Sequence, residues 1–548
     1  MGLPELEGRV HGARATACVR DAQLVVRTNT DLVDLPVELV LHAALETTPE
    51  ASRIRLHLLA PASSRTHPRA CLGASAQHAK LVLPRARWRQ RDTDDAVARL
   101  EHATLALDVP PAETPAARAW VDQLLAHAYP EAARKRVLVI ANPVGGQGKG
   151  KHVLDRIVAP LLRAADCAPT VFETRGRADA FRYVSEMRIA DFDVLLCVGG
   201  DGTVHEVVNA LAARADAADA LRLPVVPVPC GSGNGMYLSL HGPRSFNVPL
   251  ACLSALKGRA HAQELCVLTQ EAVHFADGHP IYPIVGHGRD GRAYVQYYSF
   301  LSQAIGLMAD IDLGTERYRF LGDLRFSLGY VLGALRNRRC KADIDVVLGT
   351  HGSTDLAQMR ERALREAPRA AATTDAAHRL RHGAVVDAID AQPAPLDFGA
   401  RAAPTGRWLR VSEDISTLYG GKMPFVARSL MAFPYASPAD GALDIMVQTH
   451  ASSAVEKLVS VLHGEHGDHI LDSSIRYFKA EAYRVTPHAS PGQHYLSIDG
   501  EMVPHAPFQV EVSPLQLTLL SLDDDEWRAP ILQPPTAREH ARRAAARA

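Results

Sequence analysis

The fold of this chain is decided by the segment Val194-Leu-Leu-Cys-Val-Gly-Gly-Asp-Gly-Thr-Val-His-Glu-Val-Val-Asn209, which reads as an apolar strand, a glycine-rich turn and a helix. Similar units flank it. An apolar strand at Val137–Ile140 precedes a helical pattern over 151–165, and a second strand, Val225–Val228, follows a helix predicted over 204–213. Strands that alternate with helices predict a parallel sheet covered by helices, with ligands at the carboxyl ends of its strands.

Three glycine-rich loops fall at that edge of the predicted sheet. They are Asn142-Pro-Val-Gly-Gly-Gln-Gly-Lys149, Gly199-Gly-Asp-Gly-Thr203 and Gly231-Ser-Gly-Asn-Gly235. Glycine lets backbone N–H groups approach a phosphate closely, and a helix that follows adds partial positive charge. The first loop is neither a Walker A sequence nor the GxGxxG of a dinucleotide fold. One such loop is as often a plain tight turn, but three at one edge predict a phosphate site.

Asp201 is the only carboxylate inside the second loop. A carboxylate there can accept the proton of an attacking hydroxyl, as in other phosphotransferases. The alternative is that Asp201 caps a helix that begins near Val204. Glu206, one turn into that helix, is predicted either to reach the site or to lie on the surface. Lys149 and Lys151 place positive charge beside the first loop, or form a solvated helix face.

Composition bounds the class of protein. The chain has 548 residues, of which 47% are hydrophobic and 22% charged, and this length predicts about three domains. The formal net charge of -1 argues against a nucleic-acid-binding protein. The eight cysteines are widely spaced, which is typical of a reducing compartment. No apolar run approaches the roughly 18 residues that span a bilayer, so we expect a cytoplasmic protein with at most peripheral membrane contact.

The pattern along the chain predicts four segments. Residues 1–130 form a β-rich module that ends in a helix, and residues 131–270 form the α/β domain. Residues 271–522 favour a mainly antiparallel β domain with a flexible insert at 349–407, where Ala, Pro, Thr and charged residues dominate. Residues 523–548 form a basic tail, predicted to be disordered.

The three loops, with the ValHisGluValValAsn run after the second, resemble successive blocks of the diacylglycerol-kinase catalytic superfamily. Within it, three segments are similar to sphingosine kinases of the fungal long-chain-base type. These are Tyr298-Ser-Phe-Leu-Ser-Gln-Ala-Ile-Gly-Leu-Met-Ala-Asp-Ile-Asp-Leu-Gly-Thr-Glu-Arg-Tyr-Arg319, Leu321-Gly-Asp-Leu-Arg-Phe326 and Ile498-Asp-Gly-Glu501. The resemblance covers about 136–521, apart from the insert. It implies a Rossmann-like α/β nucleotide domain followed by an antiparallel β-sandwich that binds lipid.

The resemblance also implies ATP, with Mg²⁺, as the phosphoryl donor and Asp201 as the catalytic base. The implied nucleotide contacts are Asn142, Pro143, Gly145, Gly146, Thr174, Gly199, Gly200, Gly202, Thr203, Glu206, Gly231, Ser232, Gly233, Asn234, Arg319, Arg325, Asp499, Gly500 and Glu501. Two guanidiniums, from Arg319 and Arg325, would bind phosphate oxygens bidentately. Asp499 is in addition a candidate ligand for Mg²⁺. Without the likeness, Asp499-Gly500 reads as a hairpin turn.

Asp312 matches the head-group aspartate of the family. A carboxylate in a partly desolvated cleft favours the ammonium of a sphingoid base over the neutral head of diacylglycerol. Without the likeness, Asp310 and Asp312 would be turn or surface residues. The residues expected to line or support a cavity for the lipid chain are Ser299, Leu301, Ile305, Leu307 and Met308. Such a cavity gains about 0.8 kcal/mol for each buried methylene, but the same residues are equally typical of ordinary core.

An apolar and then basic stretch is predicted to contact an anionic membrane surface. It consists of Leu328, Val331, Leu332, Arg336, Arg338 and Arg339. The alternative is a buried helix followed by a solvated basic segment.

We therefore interpret the chain as a kinase that uses ATP and Mg²⁺ to phosphorylate the primary hydroxyl of a sphingoid long-chain base. It departs from the family at Gln147 and at Arg177-Ala-Asp-Ala180, but it retains the base, the loops and the arginines. The first alternative is a ceramide or diacylglycerol kinase, and the second is an inactive lipid-sensing membrane adaptor. NAD kinase shares a GlyGlyAspGly loop, but its substrate does not require the segment Tyr298–Phe326.

Overall fold

The architecture comes from a computed structural model of the chain. The described residues are 2–29, 32–48, 51–61, 80–82, 100–130, 134–242, 246–274, 284–287, 291–315, 324–336, 338–348, 358–359, 386–388, 408–411, 414–472, 474–488 and 495–522. The tail predicted at 523–548, Arg319 and nearly all of the insert at 349–407 lie outside these ranges. Within them, no helix is long and apolar enough to cross a bilayer.

Eight strands and one helix form the first unit. They are β1 Leu3–Val10, β2 Ala13–Arg20, β3 Gln23–Thr28, β4 Leu32–Pro36, β5 Val40–Thr47, β6 Ser52–Pro61, β7 Lys80–Val82, β8 Leu100–Val109 and α1 Thr114–Ala128. The strands form one sheet in the order β5-β6-β8-β1-β2-β3-β4-β7, antiparallel except between β4 and β7. Buried apolar residues of this sheet pack with Trp120 and Leu124 of α1. The helix expected at the end of this module is α1.

A parallel sheet between helices forms the second unit. Its elements are β9 Val137–Ala141, α2 Gly145–Gly148, α3 Gly150–Val153, α4 Ala159–Ala164, β10 Thr170–Glu173, α5 Asp179–Glu186, β11 Val194–Gly199, α6 Asp201–Ala213, α7 Ala217–Ala220, β12 Val225–Pro229, α8 Gly235–His241 and α9 Val248–Lys257. A π-helical turn, Leu154–Val158, joins α3 to α4. The strands run parallel in the order β10-β9-β11-β12. Every residue of β9, β11 and β12 is buried because helices cover both faces.

Sixteen strands and three helices make up the rest of the described chain. They are β13 Arg259–Glu271, β14 Ile284–His287, β15 Ala293–Ser299, β16 Ser302–Gly306, α10 Leu307–Gly314, α11 Leu324–Arg336, β17 Ala342–Val347, β18 Val386–Ala388, β19 Trp408–Val411, β20 Ile415–Gly421, β21 Phe425–Ala427, β22 Leu430–Met431, β23 Leu443–Thr449, α12 Ala454–Gly464, β24 Ile475–Ala480, β25 Ala482–Pro487, β26 Leu496–Ile498, β27 Glu501–Val503 and β28 Phe508–Ser521. Short 3-10 turns lie at Val37–Leu39, Pro111–Glu113, Ile189–Asp191, Ala272–His274 and Asp468–Leu471.

Two sheets pack against each other in this half as a sandwich. One has the order β24-β23-β20-β16-β26-β27, and the other contains β28-β25-β17-β19-β18. Apolar side chains such as Ile344, Leu418 and Tyr483 fill the core of this half. The predicted fold class, α/β followed by an antiparallel sandwich, is therefore confirmed. β18 lies inside the predicted flexible insert but pairs with β19, so these three residues belong to the sheet.

The α/β unit and the sandwich share one sheet. β28, the last strand, pairs in parallel with β12 at Leu519 and Val225, and in antiparallel with β13 along most of its length. The resulting sheet has 12 strands among the described residues and runs from β10 to β18. The boundary predicted at 270/271 therefore divides the chain but not the sheet, and the last strand of the second half borders the α/β unit.

The first unit packs directly on the α/β unit. At the end of α9, Lys257 Nζ donates to the carbonyl oxygens of Glu38 (2.9 Å) and Val40 (2.5 Å). The same ammonium lies 4.1 Å from the centre of the Tyr129 ring, whose hydroxyl donates to the Leu41 carbonyl. Burial lowers the pKa of Lys257 to about 7. One hydrophobic core runs through both units, so their positions are mutually fixed.

A buried ionic cluster lies within the second half. Lys422 Nζ and Lys479 Nζ contact the two oxygens of Asp440 at 2.7 and 2.6 Å, and Lys479 also contacts Asp444 at 2.8 Å. Burial by itself would raise the pKa of Asp440, but the two ammonium groups outweigh it and lower that pKa to about 2. Each buried charge is thus paired, which is the condition under which buried ions are tolerated.

We predict that Asp440→Asn lowers the free energy of unfolding by about 3–5 kcal/mol, because each buried ammonium group loses one of two carboxylate partners. Lys422 then keeps only Glu264, and Lys479 keeps only Asp444. The matched control is Asp414→Asn. Asp414 pairs with Arg339 where the two side chains are 49% and 45% exposed, and such pairs contribute less than about 1 kcal/mol. Urea denaturation followed by circular dichroism measures both. Equal losses in the two variants would contradict the prediction.

Candidate active site

A cavity of about 2000 Å³ lies between the α/β unit and the sandwich. The carboxyl ends of β9, β10, β11 and β12 line one side, and β16, β20, β23, α10 and α11 line the other. Pockets for one small molecule have volumes of about 300–1,000 Å³. This cavity is therefore large enough to hold two ligands together.

The cavity brings most of the predicted site residues together. Those that line it are Asn142, Pro143, Gly145, Thr174, Gly200, Asp201, Gly202, Thr203, Glu206, Gly231, Ser232, Gly233, Leu301, Met308, Asp312, Asp499, Gly500 and Glu501. Gly199 and Asn234 are not among the lining residues, and of Gly146 only the backbone, in α2, is described. Arg319 lies outside the described residues, and of Arg325 only the backbone, in the first turn of α11, is described.

Three residues that we expected to bind the lipid do not line the cavity. Ile305 lies on β16 beside Leu418, and both belong to the sandwich core. Leu307 packs against Tyr330 of α11. The Ser299 hydroxyl donates to Asp499 at 2.7 Å and is fully buried. For these three residues the structure matches the alternative of ordinary core.

Two of the glycine-rich loops touch each other. A Cβ on Gly231 would lie 2.7 Å from the Cα of Gly200, so neither position accommodates a larger residue without a shift. Asn234 adopts a left-handed conformation (φ 54°), and its side chain accepts from the Gly231 N–H at 2.8 Å and donates to the Gly231 carbonyl. Asn234 therefore braces its own loop instead of facing the cavity.

Asp201 is the first residue of α6, and its carboxylate points to the start of α8. It accepts hydrogen bonds from the backbone N–H groups of Gly235 (2.9 Å) and Met236 (3.2 Å). Burial raises its pKa to about 6; the two N–H groups oppose this shift, and the charges of Asp499 and Asp312 add to it. The alternative that Asp201 caps a helix near Val204 is wrong, because α6 begins at Asp201 itself.

Glu206 faces the cavity from the next turn of α6. One carboxylate oxygen accepts from the Ala178 N–H at 3.2 Å, at the start of α5. The other is buried and has no hydrogen bond among the described residues. Burial raises the pKa of this carboxyl group. Glu206 is therefore not a surface residue, and its carboxyl group is held at the start of α5.

Asp499 is enclosed by the protein. Its Oδ1 accepts from the Ser299 hydroxyl and from the N–H groups of Leu301 and Ser302, both at 2.9 Å. Its Oδ2 lies 2.9 Å from His205 Nδ1, and the side chain is fully buried. Because both oxygens already accept hydrogen bonds, this geometry does not suit Asp499 as a Mg²⁺ ligand. Asp499 instead joins α6 to the turn between β15 and β16.

Asn209 makes a second connection from α6 to the same strand. Its side chain accepts from the Tyr298 N–H and donates to the Tyr298 carbonyl, each at 2.8 Å. Three residues of α6 thus make contacts outside the helix. His205 contacts Asp499 of the sandwich, Glu206 contacts the start of α5, and Asn209 contacts β15. The ValHisGluValValAsn run is in large part a framework that positions Asp201.

Glu501 lies directly over the second glycine-rich loop. A Cβ on Gly202 would meet the end of the Glu501 side chain, so a larger residue there would displace that carboxylate from the loop. Glu501 also pairs with Arg177 at 3.3 Å, and both side chains are partly exposed. Lys151 does not line the cavity; it pairs with Glu173 (2.7 Å) and Asp155. In the described part of the chain, no group of three or more His, Cys, Asp or Glu residues is arranged to hold a metal.

Asp312 lies on α10 and lines the same cavity. It accepts a hydrogen bond from the Ser497 hydroxyl at 2.7 Å. A Cβ on Gly500 would lie 3.8 Å from its carboxylate. Asp310, two residues earlier, is not among the lining residues, so the two aspartates of this segment have different surroundings.

The wall opposite the glycine-rich loops was not predicted. It is formed by Thr417, Tyr419, Met446, Gln448, Tyr330 and Ile475, among others. Strand register sets Thr417 beside Gln448 and Gln448 beside Ile475. All residues of β20 and β23 are buried, so apolar–polar alternation could not have indicated which face lines a cavity.

Two family models match this chain. The first, the diacylglycerol kinase catalytic domain, matches residues 136–268, which hold the three glycine-rich loops. The second, a YegS C-terminal NAD kinase beta sandwich-like domain, matches residues 420–521. These matches cover the α/β unit and much of the sandwich.

Several characterised proteins are similar to this chain. Sphingoid long chain base kinase 4 of Schizosaccharomyces pombe is 28% identical over 418 residues, which cover 74% of this chain and 81% of that protein. Sphingoid long chain base kinase 5 of Saccharomyces cerevisiae is 28% identical, over 72% of this chain and 60% of its own length. Sphingosine kinase 1 of Homo sapiens is 34% identical over 37% of this chain and 50% of its own length.

Among solved structures, a diacylglycerol kinase of Bacillus anthracis superposes with a TM-score of 0.41 at 16% identity, over 71% of this chain and 98% of its own. The matched domains and the relatives confirm the resemblance found in the sequence. Residues 136–268 are thus similar to diacylglycerol kinase catalytic domains, and the relatives that align over most of the chain are sphingoid long-chain-base kinases.

Proposed function

We propose that this protein transfers the γ-phosphoryl group of ATP to the primary hydroxyl of a sphingoid long-chain base. One observation carries the proposal. A single cavity holds the glycine-rich loops, Asp201 and Asp312, and it continues along the sandwich wall. This one cavity thus offers a suitable group for each part of the reaction. The loops suit the phosphates, Asp201 the attacking hydroxyl, Asp312 the amine, and the sandwich wall the hydrocarbon chain. The named relatives are sphingoid-base and sphingosine kinases, which agrees with this substrate class.

Asp201 has the properties of a general base. Its pKa of about 6 keeps it mostly ionised near pH 7, yet close enough to neutrality to accept a proton from an attacking hydroxyl. The N–H groups of Gly235 and Met236 fix its orientation. Because the carboxylate is already oriented, no further entropy is lost in ordering it during the reaction.

The negative charge of the cavity must be offset when ATP binds. Asp201, Glu206, Asp312 and Glu501 all line it. Mg²⁺ bound with ATP would offset phosphate charge, and it is usually held by one or two carboxylates together with the phosphates. Glu501, beside Gly202, is the carboxylate that fits this role best. Arg319 and Arg325 remain our candidates for gripping the phosphates.

Asp312 favours a substrate that carries an amine, such as a sphingoid long-chain base, over a neutral lipid. Its carboxylate would pair with the ammonium of the head group, whereas the head of ceramide or diacylglycerol offers no charge. A ceramide or diacylglycerol kinase is therefore not favoured. Retention of Asp201 with its hydrogen bonds argues against an inactive adaptor.

We predict that Asp201→Asn lowers kcat by about 10²–10⁴-fold, because the general base is lost while the loops that bind nucleotide remain. ATP affinity should change little. Mass spectrometry of the products from a mixed pool of long-chain bases, ceramide and diacylglycerol measures activity and lipid class together. Asp193→Asn, in a surface pair with Arg136 of the same unit, is the control. Undiminished turnover of Asp201→Asn would refute the assignment.

For Asp312→Asn we predict a fall of about 10–100-fold in kcat/KM for the long-chain base with an unchanged KM for ATP, because a charge-assisted bond to the ammonium is lost. Asp310→Asn on the same helix is the control. Equal losses for base and nucleotide would count against the head-group role.

The same variant has a second readout. Wild-type kcat/KM should fall as the pH decreases through about 6, since protonated Asp201 cannot act as a base. The charge of Asp312 raises the pKa of Asp201, so in Asp312→Asn the fall in kcat/KM should occur at lower pH. If kcat/KM falls at the same pH in the wild type and in Asp312→Asn, a group other than Asp201 controls the acidic side of the pH profile.

We also propose a contact with anionic membranes through α11 and α12. Leu328, Leu335 and Val455 are 46%, 64% and 69% exposed, and α12 lies against α11. Arg336 ends α11, and Arg338 follows. Arg339 pairs with Asp414 instead. An exposed apolar face edged by arginines suits insertion at the level of the lipid head groups, next to the cavity that Tyr330 of α11 lines.

We predict that Leu335→Asp weakens binding to phosphatidylserine-containing vesicles by about tenfold or more, because an apolar side chain would be replaced by a charge at the bilayer. Val273→Asp is the control, since Val273 is 75% exposed but lies in the turn after β13. Vesicle sedimentation measures both. Similar binding by the two variants would exclude this surface.

A further inference from the structure

The sandwich wall of the cavity carries a group of polar side chains. Gln448 on β23, Tyr330 on α11, Ser460 on α12 and His469 in the turn before β24 all line it. Each is more than nine-tenths buried. We call these four residues the distal polar group. A cavity wall that served only a hydrocarbon chain would gain nothing from them, because buried polar atoms need hydrogen-bond partners.

The hydrogen bonds that this group makes are long. Both amide atoms of Gln448 lie 3.4 Å from the Tyr330 hydroxyl, and the Ser460 hydroxyl lies 3.5 Å from that of Ser474. Well-formed hydrogen bonds to a hydroxyl are about 2.7–3.0 Å long. The group therefore retains capacity to bind another polar atom.

His469 is the least satisfied member. Neither of its ring nitrogens has a hydrogen bond of normal geometry among the described residues. Burial lowers the pKa of His469 to about 4, and the nearby Ala432 backbone opposes this shift only in part. The ring is thus neutral near pH 7, with one donor and one acceptor nitrogen. Only one nitrogen can face Ala432, so the other is a buried polar atom without a hydrogen-bond partner among the described residues.

The distal polar group is far from the head-group site. Asp312 bonds to Ser497 on β26, whereas Gln448 lies on β23 of the same sheet. β16 and β20 separate these strands, so three strand spacings, about 14 Å, lie between them. The amine and hydroxyls of a sphingoid head sit together on neighbouring carbons at one end. A head held at Asp312 therefore cannot reach Gln448 or His469.

We propose that the distal polar group binds an oxygen in the far half of the lipid chain, so that the preferred substrates are long-chain bases with a hydroxyl or keto group there. This inference rests on the proposed function. The amide of Gln448 and the neutral ring of His469 each offer a donor and an acceptor, which suits either oxygen. A plain chain would leave these groups unpaired, and a site built for a hydroxyl discriminates against the analogue that lacks it.

The test compares two synthetic C18 long-chain bases, one saturated and one with a single added hydroxyl in the far half of the chain. Their binding to the full chain is measured by calorimetry, and their phosphorylation is measured in parallel. We expect the hydroxylated base to bind about tenfold more tightly. Gln448→Leu and His469→Leu should each remove most of that preference. Met446→Leu, an apolar change on the same wall, should preserve it.

The outcomes separate the two proposals. Equal affinity for the two bases, or a preference for the saturated base that all variants share, would overturn this inference while the kinase assignment stands. A preference that Gln448→Leu and His469→Leu leave unchanged would also overturn it, because the oxygen would then bind elsewhere. Binding of both bases without phosphorylation would refute the proposed function, and the binding ratio would still decide the role of the distal polar group.

Discussion

The buried carboxylate of Asp499 is the constraint on which the rest of the site depends. It accepts hydrogen bonds from the turn between β15 and β16 and from His205 of α6. Bonds to a charged acceptor contribute more than neutral ones, about 1.5–3 kcal/mol each. Since α6 begins with Asp201, this carboxylate sets the position of the proposed base relative to the lipid half. Asn209 reinforces the joint through the Tyr298 backbone.

The same joint explains the electrostatics of the cleft. Asp499 and Asp312 belong to the second half, yet both charges act on Asp201 and help to raise its pKa. Burial of Asp201 is the largest cause of the raised pKa. The basicity of Asp201 is therefore a property of the assembled cleft. The shared 12-stranded sheet, with β28 beside β12, keeps that cleft in register.

The sequence predicted the α/β half well because its signals are local. Buried parallel strands read as continuous apolar runs, and the strands predicted at Val137–Ile140 and Val225–Val228 match β9 and β12 to within one residue. The glycine-rich loops could be placed at one edge because parallel strands end together. Asn234 and the start of α6 were interpreted less well. Which atoms a loop residue bonds depends on neighbours such as Gly235, which no local pattern reveals.

By itself, the sequence determined the fold class, the three loops and the residue types for phosphoryl transfer, because these depend on short-range pattern and chemistry. Only the tertiary structure decided that Asp499 joins the two halves, that Ser299, Ile305 and Leu307 are core, and that Gln448 and His469 line the cavity. In fully buried strands both faces are apolar or paired, so register and packing between distant segments decide which side chains meet a ligand.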